Sequence, residues 1–352
     1  MKNSRIDHTL FGAIFALCIF LSMTVFFGGI FTESINAYYI EPPSEPTPQI
    51  TDLNRTPDIM QELFKYRYDP DAAPLFEQEA ESEEQPTPES DGEGIILRKT
   101  YVYSESSTVK RLDLGGYLRN DTEEDMDYLI DQTRREPRIE EVPHKAPLVL
   151  IMHTHTTECY HQGEPDSYSP SDPERSLDDS QTVVEVGRII AQKLREGGIG
   201  VIHDETVHDY PEYNGAYDRS EVTVREYLEK YPTVQIVLDI HRDAIEADGI
   251  RYAPVANIDG KNAAQVMLIV GNVNVPNFRY NLRLASLWQS KMESLYPTLT
   301  RPMLVAERNY NQHLTYGSIL VEMGASGNTP EEAKYAGELV GISLAQMINE
   351  ML

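Results

Sequence analysis

The sequence predicts an α/β domain with a mostly parallel central sheet and helices on both faces, preceded by one transmembrane helix and a disordered linker. Short apolar runs such as PLVLIM and AQVMLIVG, typical of buried strands, alternate with helical stretches of 12 to 20 residues. Near residue 95 this apolar periodicity replaces an acidic, Pro-rich composition, which sets the start of the folded part.

The amino terminus contains an uncharged run of 22 residues, at positions 10–31. At a rise of about 1.5 Å per residue it is long enough to cross a hydrocarbon core of about 30 Å. Lys2 and Arg5 precede the run, so this end is expected in the cytoplasm and everything after Glu33 outside the cell membrane. A cleaved signal peptide ending at Ala37 is the alternative, but the length of the run and Ile35 favour a single-pass anchor, with residues 1–32 forming the cytoplasmic tip and the anchor.

Residues 33–94 are predicted to form an acidic, Pro-rich linker. They hold 16 acidic and 3 basic residues and 9 of the 22 prolines, and therefore much of the chain's net charge of −27. Such a segment buries too little apolar surface to fold, although residues 58–68 could form a short transient helix. The acidic balance excludes a general nucleic-acid binder, and two distant cysteines exclude a disulfide-stapled scaffold.

The folded part begins with an amino-terminal extension, residues 95–146. Residues 95–114 have the character of a hairpin, and a polar helix is expected to follow, with Asn120 or Asp121 as its cap.

Residues 147–352 are predicted to form one α/β domain, because strands and helices alternate there. This is the predicted catalytic domain, because it contains the candidate site residues described below. We expect strands at 147–152, 199–204, 234–241, 264–271 and 318–324, and helices at 182–196, 219–230, 281–296 and 330–351.

Polar side chains of the kinds that bind metals follow three of these strands. His153, His155 and Glu158 follow the first, His241 ends the third, and Glu322 lies within the last. Ligands bind at the carboxyl ends of strands in open α/β sheets, so these residues are expected to converge at one edge.

This set of residues predicts a hydrolytic zinc site. Such a site needs about three protein ligands and an open position, which the two histidines after the first strand, Glu158 and His241 can supply, with Glu322 as proton carrier. His153 and His155 are two residues apart and should point to the same side if the strand continues, so either could be the ligand.

Residues around His241 are candidates for orienting it or for contacting substrate. Asp239 and Asp243 flank it, and either could hold its ring or pair with Arg242. The remaining histidines of the folded part are expected on the surface or in loops: His144, His161, His203, His208 and His313.

The runs LVLIMHTHTTECY, IVLDIHRDA, NYNQHL and ILVEMG, in this order, resemble the stage II sporulation protein P family of membrane-anchored peptidoglycan hydrolases. The resemblance covers roughly residues 97–352. It implies a zinc amidase-like fold and an N-acetylmuramoyl-L-alanine amidase that cleaves the amide between muramic acid and the stem peptide, with peptide cross-links as a further target. It also implies hydrolysis of peptidoglycan during sporulation engulfment, with a lytic transglycosylase and other engulfment membrane proteins as partners.

Carried onto this chain, the resemblance places His153 or His155, Glu158 and His241 at the metal positions and Glu322 at the catalytic glutamate. It adds Asn311, within NYNQHL, as a substrate or supporting residue. The departures from the family pattern remove no ligand; they are Met152, Cys159, His313, Met323 and Ala325.

Two other functions fit parts of the sequence. A metallophosphoesterase or amidohydrolase also opens with His-x-His after a strand, but such a barrel needs about 250 residues and only 200 remain from His153 onward. A wall-binding module with a degenerate site is the non-enzymatic alternative, which the presence of Glu158, His241 and Glu322 disfavours.

Overall fold

A computed structural model describes residues 94–169, 171–247 and 249–352. The predicted anchor, the linker and the short helix at 58–68 lie outside these residues. Among the residues that are described, none of the helices combines the length and the apolar character needed to span a bilayer.

The described chain forms thirteen strands, five α-helices and one short 3-10 helix at Asp179–Gln181. The strands are β1 (Gly94–Lys99), β2 (Val109–Arg111), β3 (Tyr117–Asp121), β4 (Val149–Met152), β5 (Ser167–Tyr168), β6 (Val201–His203), β7 (Ile236–Asp243), β8 (Glu246–Ala247), β9 (Ile250–Ile258), β10 (Lys261–Ala264), β11 (Val266–Gly271), β12 (Met303–Ala306) and β13 (Gly317–Ala325). The helices are α1 (Met126–Thr133), α2 (Val183–Glu196), α3 (Ala216–Lys230), α4 (Phe278–Leu295) and α5 (Pro330–Met351).

An eight-stranded sheet in the order β2-β3-β12-β11-β13-β7-β4-β6 forms the centre of the fold. The β2/β3 and β11/β13 pairs are antiparallel, and the other five neighbouring pairs are parallel. The α/β prediction is confirmed. The sheet is mixed, because the β2/β3 and β11/β13 pairs are antiparallel. The three strands that carry the predicted site, β4, β7 and β13, are adjacent and parallel.

Helices cover both faces of this sheet, as the continuous apolar strands predict. Val149 and Ile151 of β4 point into a core shared with α1, α2, α4 and α5. Leu150 and Met152 point the other way and pack with Val224 of α3. Successive residues of a strand face opposite sides, so one short strand serves both cores.

A second sheet, with the order β10-β9-β1-β5 and β8 paired to β9, was not predicted. The predicted hairpin at 95–114 is wrong: β1 pairs in parallel with β9, whereas β2 pairs with β3 in the main sheet. Strands β9, β10 and β12 were also missed. Strand β12 pairs with β3, which is distant in sequence. Strands β9 and β10 belong to the second sheet, which apolar periodicity alone does not reveal.

The start of a helix depends on its capping residue. The predicted start is correct for α5, but the predicted cap of α1 is wrong. Thr329 caps α5 in a reciprocal capping box with Glu332, and α5 starts at Pro330 as expected. The cap of α1 is Asp125, whose Oδ1 accepts from Tyr128 N at 2.9 Å, and not Asn120 or Asp121. Those two residues belong to β3, where pairing with β12 outweighs their capping tendency.

Candidate functional site

Three strand ends bring the predicted site residues to one edge of the sheet. His155 lies in the turn after β4, and Glu158 follows that turn in an isolated bridge to Arg175. His241 lies near the end of β7, and Glu322 lies in β13. Glu322 is the register partner of His241 in the parallel β7/β13 ladder, so both side chains project from the same face.

His155, Glu158 and His241 form the centre of the site. The imidazole rings of His155 and His241 meet edge to face with centroids 5.3 Å apart. Nδ1 of His241 lies 3.5 Å from Oε2 of Glu158. The backbone N–H of Arg242 donates to the same Glu158 oxygen at 3.2 Å, which fixes the carboxylate against β7.

Carboxylates surround His241. Its Nε2 lies 2.8 Å from Oδ1 of Asp239, although without the alignment of a hydrogen bond. Burial disfavours the charged imidazole, but Asp239 and Glu158 outweigh it and hold the pKa of His241 well above its usual value. Asp239 is itself fixed, because it accepts from Thr154 N at 2.8 Å and from Thr154 Oγ1 at 2.7 Å.

The pKa values of the two carboxyl groups of the site, Glu158 and Glu322, are shifted in opposite directions. Burial would raise the pKa of Glu158, but the adjacent His241 lowers it, and the net direction is down. Glu322 has no such contact: its Oε2 is shielded from solvent without a hydrogen-bond partner, and burial raises its pKa to about 8. A carboxyl with a pKa near neutrality can both take and return a proton.

His153 lies apart from these residues. The prediction that His153 and His155 share one side required the strand to continue, but β4 ends at Met152 and a turn follows. The two histidines therefore contact different neighbours. Both ring nitrogens of His153 are engaged: Nδ1 donates to Ile240 O at 3.1 Å, and Nε2 lies 2.9 Å from Nε2 of His203.

The other predicted residues support the site from behind. The Arg242 side chain turns away and donates to Cys159 O at 3.0 Å and to Glu174 O at 2.8 Å, which ties down the chain that follows Glu158. Asp243 pairs with Arg301 at 2.8 Å. Asn311 donates to Tyr217 O at 2.7 Å, at the start of α3.

Several residues around His155 were not predicted. Asp209 is buried and accepts from Thr157 and from Arg175, whose guanidinium reaches 3.9 Å from Glu158 Oε1. Tyr213 stacks on His155, and Tyr217 meets it edge to face. Arg175, Asp209 and Tyr213 come from segments outside the helices and named strands, and Tyr217 lies at the start of α3. None of them belongs to a motif, so nothing in their spacing indicated them.

Of the histidines expected at the surface or in loops, His161 and His208 lie in loops, although both are buried. The prediction is wrong for His203, which ends β6 and whose side chain is only 5% exposed. His144 is exposed, as expected, and His313 is half-buried.

The residues of the site match a zinc ion in kind. Imidazole nitrogens and carboxylate oxygens are zinc ligands, and His155 Nδ1 and Glu322 Oε2 are buried polar atoms without hydrogen-bond partners. Within the part of the chain that is described, no group of three or more His, Cys, Asp or Glu side chains meets the geometry of a metal site.

Comparisons with known proteins matched a curated relative, solved structures and a family model. The chain is 30% identical over 211 residues to "Stage II sporulation protein P" of Bacillus subtilis (strain 168), a match that covers 57% of this chain and 51% of that protein. The chain thus spans about half the length of this curated relative.

Solved structures matched by this chain include the N-acetylmuramoyl-L-alanine amidase AmiC2 of Nostoc punctiforme, at 18% identity and a TM-score of 0.35, covering 58% of this chain and 96% of that one. The CwlD amidase from Clostridioides difficile, solved in complex with the GerS lipoprotein, gives 12% identity and a TM-score of 0.36, with coverages of 58% and 98%. The family model of Stage II sporulation protein P (SpoIIP) matches residues 55–348. The chain belongs to the Stage II sporulation protein P family.

Proposed function

We propose that this protein is a peptidoglycan hydrolase, a zinc-dependent N-acetylmuramoyl-L-alanine amidase. It would hydrolyse the amide between the lactyl group of muramic acid and the L-alanine of the stem peptide. Membership of the family supports the substrate class. The observation that carries the proposal is the convergence of two imidazoles, a carboxylate and a second, isolated carboxyl group at one sheet edge.

His155, Glu158 and His241 are the proposed zinc ligands. His155 is preferred to His153 because both ring nitrogens of His153 are engaged inside the core, whereas His155 Nδ1 is without a partner. A zinc ion held there would act as a Lewis acid on the scissile carbonyl. Asp239, held by Thr154, would orient His241 from behind, as carboxylates commonly orient histidine ligands.

Glu322 is the proposed proton carrier. It takes a proton from the attacking water as the new bond forms between the water oxygen and the carbonyl carbon. It then gives that proton to the nitrogen of L-alanine as the C–N bond breaks. The products are a free amine and the carboxylic acid of muramic acid, which releases the second proton of the water to solvent when it ionises. The pKa of about 8 in the metal-free protein suits a group that is both acceptor and donor.

The proposed setting follows from the sequence and the family. Residues 10–31 would anchor the chain in the cell membrane as a single pass, and residues 33–94 would hold the catalytic domain away from the bilayer on its extracytoplasmic side. We further propose action in sporulation engulfment together with a lytic transglycosylase and other engulfment membrane proteins, and activity on peptide cross-links as a second target.

Digestion of purified sacculi tests the function. The wild-type protein is expected to bind one zinc ion per chain and to release new amino-terminal L-alanine. Glu322→Gln should retain zinc and lose the release of L-alanine, because its side chain cannot carry the proton. Glu293→Gln is the matched control: this carboxyl, whose pKa is also raised by burial, lies on α4 on the other face of the sheet.

Other results would contradict the proposal in distinct ways. Binding of sacculi without release of L-alanine indicates a wall-binding module. Release of phosphate from a phosphoester indicates a metallophosphoesterase. Full activity of Glu322→Gln removes Glu322 from the mechanism.

A further inference from the structure

Arg301 is a buried arginine that uses only part of its hydrogen-bonding capacity. It lies just before β12, is 5% exposed, and its Nη1 donates to Asp243 Oδ2 at 2.8 Å. Its Nε and Nη2 are also buried, and neither has a hydrogen-bond partner among the residues that the structure describes. These two nitrogens form one edge of the guanidinium, which can donate to both oxygens of a carboxylate. Buried donors of a charged group are costly to leave unpaired, so this edge is expected to receive an acceptor.

The path of the Arg301 side chain leads to the proposed active site. Its backbone N–H donates to Val266 O at the start of β11, whereas its side chain reaches Asp243 at the end of β7. In the strand order β12-β11-β13-β7, strand β13 lies between these two points. The side chain of Arg301 therefore crosses the carboxyl end of β13, the strand that carries Glu322.

The guanidinium of Arg301 and the carboxyl group of Glu322 lie on the same face of the sheet. Asp243 follows His241 by two residues in β7, so these two side chains project from one face. Glu322 is the register partner of His241 and shares that face. Burial raises the pKa of Glu322 to about 8, and Arg301 is close enough for its charge to oppose this rise. Arg301 is thus a neighbour of the proposed proton carrier.

The pair formed by Arg301 and Asp243 lies within reach of a bound stem peptide. Two residues of strand separate Asp243 from His241, a proposed zinc ligand, which corresponds to about 7 Å along β7. Two residues of an extended peptide also span about 7 Å. The side chain of Asp243 is 27% exposed, so solvent reaches this part of the site. A stem peptide that leaves the scissile amide along β7 therefore brings the residue after L-alanine to Arg301.

We propose that Arg301 is a specificity-determining residue whose Nε–Nη2 edge binds a free carboxylate on the residue that follows L-alanine in the stem peptide. The carboxylate accepts two parallel N–H···O bonds, while Asp243 keeps Nη1 and holds the guanidinium in place. A carboxamide at the same position offers one acceptor oxygen and no charge. The inference rests on the proposed function, because it names the part of the stem peptide that the same site recognises.

Two muramoyl peptides that differ in a single group test the inference. In one peptide the residue after L-alanine carries a free carboxylate, and in the other this group is a carboxamide. For the full-length wild-type protein we expect kcat/KM to be at least about 10-fold higher with the carboxylate, because charge-assisted, bidentate hydrogen bonds are much stronger than neutral ones.

Variants of Arg301 assign this preference to its side chain. Arg301→Lys keeps the charge beside Asp243 but loses the fork, so the preference should fall to about 3-fold. Arg301→Gln loses both, and its preference should vanish. Arg251→Lys is the matched control and should keep the wild-type preference: Arg251 is 6% exposed and pairs with Glu174 at 3.0 Å from β9 of the second sheet. The preference is a ratio within one protein, so a smaller folded fraction does not alter it.

Two outcomes overturn the inference. Equal kcat/KM values for the two peptides in the wild type show that the carboxylate is not recognised, whether or not the variants fold. A wild-type preference that persists in Arg301→Gln assigns recognition to another residue. Failure of the proposed function differs from both, because neither peptide is then cleaved. In that case the dissociation constants of the two peptides are compared in the same proteins, and equal values in the wild type overturn the inference.

Discussion

Two histidine pairs lie at the ends of three neighbouring strands, β6, β4 and β7, and differ in almost every physical respect. His153 and His203 meet between the sheet and α2, with Nε2 atoms 2.9 Å apart. His155 and His241 meet on the opposite face, with Glu158 and Asp239 around them. One pair is part of the core, and the other is part of the proposed site.

The difference shows that the surroundings of a histidine determine its chemistry. Burial, and for His153 the neighbouring His203, lowers the pKa of His153 to about 3 and that of His203 to about 4, so this pair stays neutral. Carboxylates raise the pKa of His241 well above its usual value despite burial. A motif of two histidines two residues apart thus contains one structural and one candidate functional residue.

Loss of activity should distinguish the pairs most strongly. His155→Ala removes a proposed ligand, so amidase activity on sacculi is expected to fall by about 10³-fold or more, which corresponds to about 4 kcal/mol of transition-state stabilisation. Its melting temperature should stay close to that of the wild type. Activity within a few-fold of the wild type would move the ligand elsewhere.

Loss of stability should distinguish them in the opposite sense. His153→Ala leaves a cavity and removes the partners of Ile240 O and His203, so the free energy of unfolding is expected to fall by about 3 kcal/mol. Urea unfolding measures it. Below its lowered melting temperature the variant should still hydrolyse sacculi. A stable but inactive His153→Ala would contradict the assignment.

Acid should lower the free energy of unfolding of the metal-free protein through His153 and His203, here called the core pair. The folded pKa values of His153 and His203 lie below the ordinary value near 6.5, so between about pH 6.5 and pH 4 the unfolded chain binds protons that the folded chain does not. Stability is therefore lost as the pH falls, on the order of 2 kcal/mol between pH 6.5 and 5 for His153.

The contribution of His241 to the free energy of unfolding changes with pH in the opposite direction. Because its folded pKa is raised, its contribution is present below about pH 6.5 and is lost as the pH rises. Urea unfolding from about pH 4 to well above pH 6.5, in the wild type and in the exposed-histidine control His144→Gln, measures both effects. The raised pKa values of Glu322 and Glu293 act in the opposite direction to the core pair but are common to the wild type and His153→Ala. An equal slope on the acid side in these two proteins would therefore show that the core pair is not held neutral.

The smallest expected effect comes from the helix that covers the core pair. A Cβ at Gly187 would lie 2.7 Å from His153 Cε1 and 2.8 Å from His203 Nε2. Alanine is favoured in a helix, but this crowding outweighs the gain, and Gly187→Ala is expected to lower the free energy of unfolding by about 1 kcal/mol. Stabilisation by Gly187→Ala would mean that the rings are loosely packed.

The sequence predicts much of the central sheet, because buried strands are continuous apolar runs and helices such as α5 carry complete capping signals. It also predicts that Glu158, His241 and Glu322 gather at one edge, since adjacent parallel strands end together. The second sheet was not predictable in this way, because β1 and β9 are far apart along the chain and their pairing depends on tertiary contacts.

The two histidines of the first motif could not be separated from the sequence. Their assignment depends on where β4 ends, and a continued strand would have placed them together. The turn at His153 depends on contacts with Ile240 and His203. Asp209 and Tyr213 were missed for the same reason: a loop distant in sequence brings them to His155.

Zinc content measured side by side in the wild type, His155→Ala and His153→Ala tests the central claim most directly. The account predicts one zinc ion per chain in the wild type and in His153→Ala, and none in His155→Ala. Zinc retained by His155→Ala and lost by His153→Ala, with both proteins folded, would contradict it.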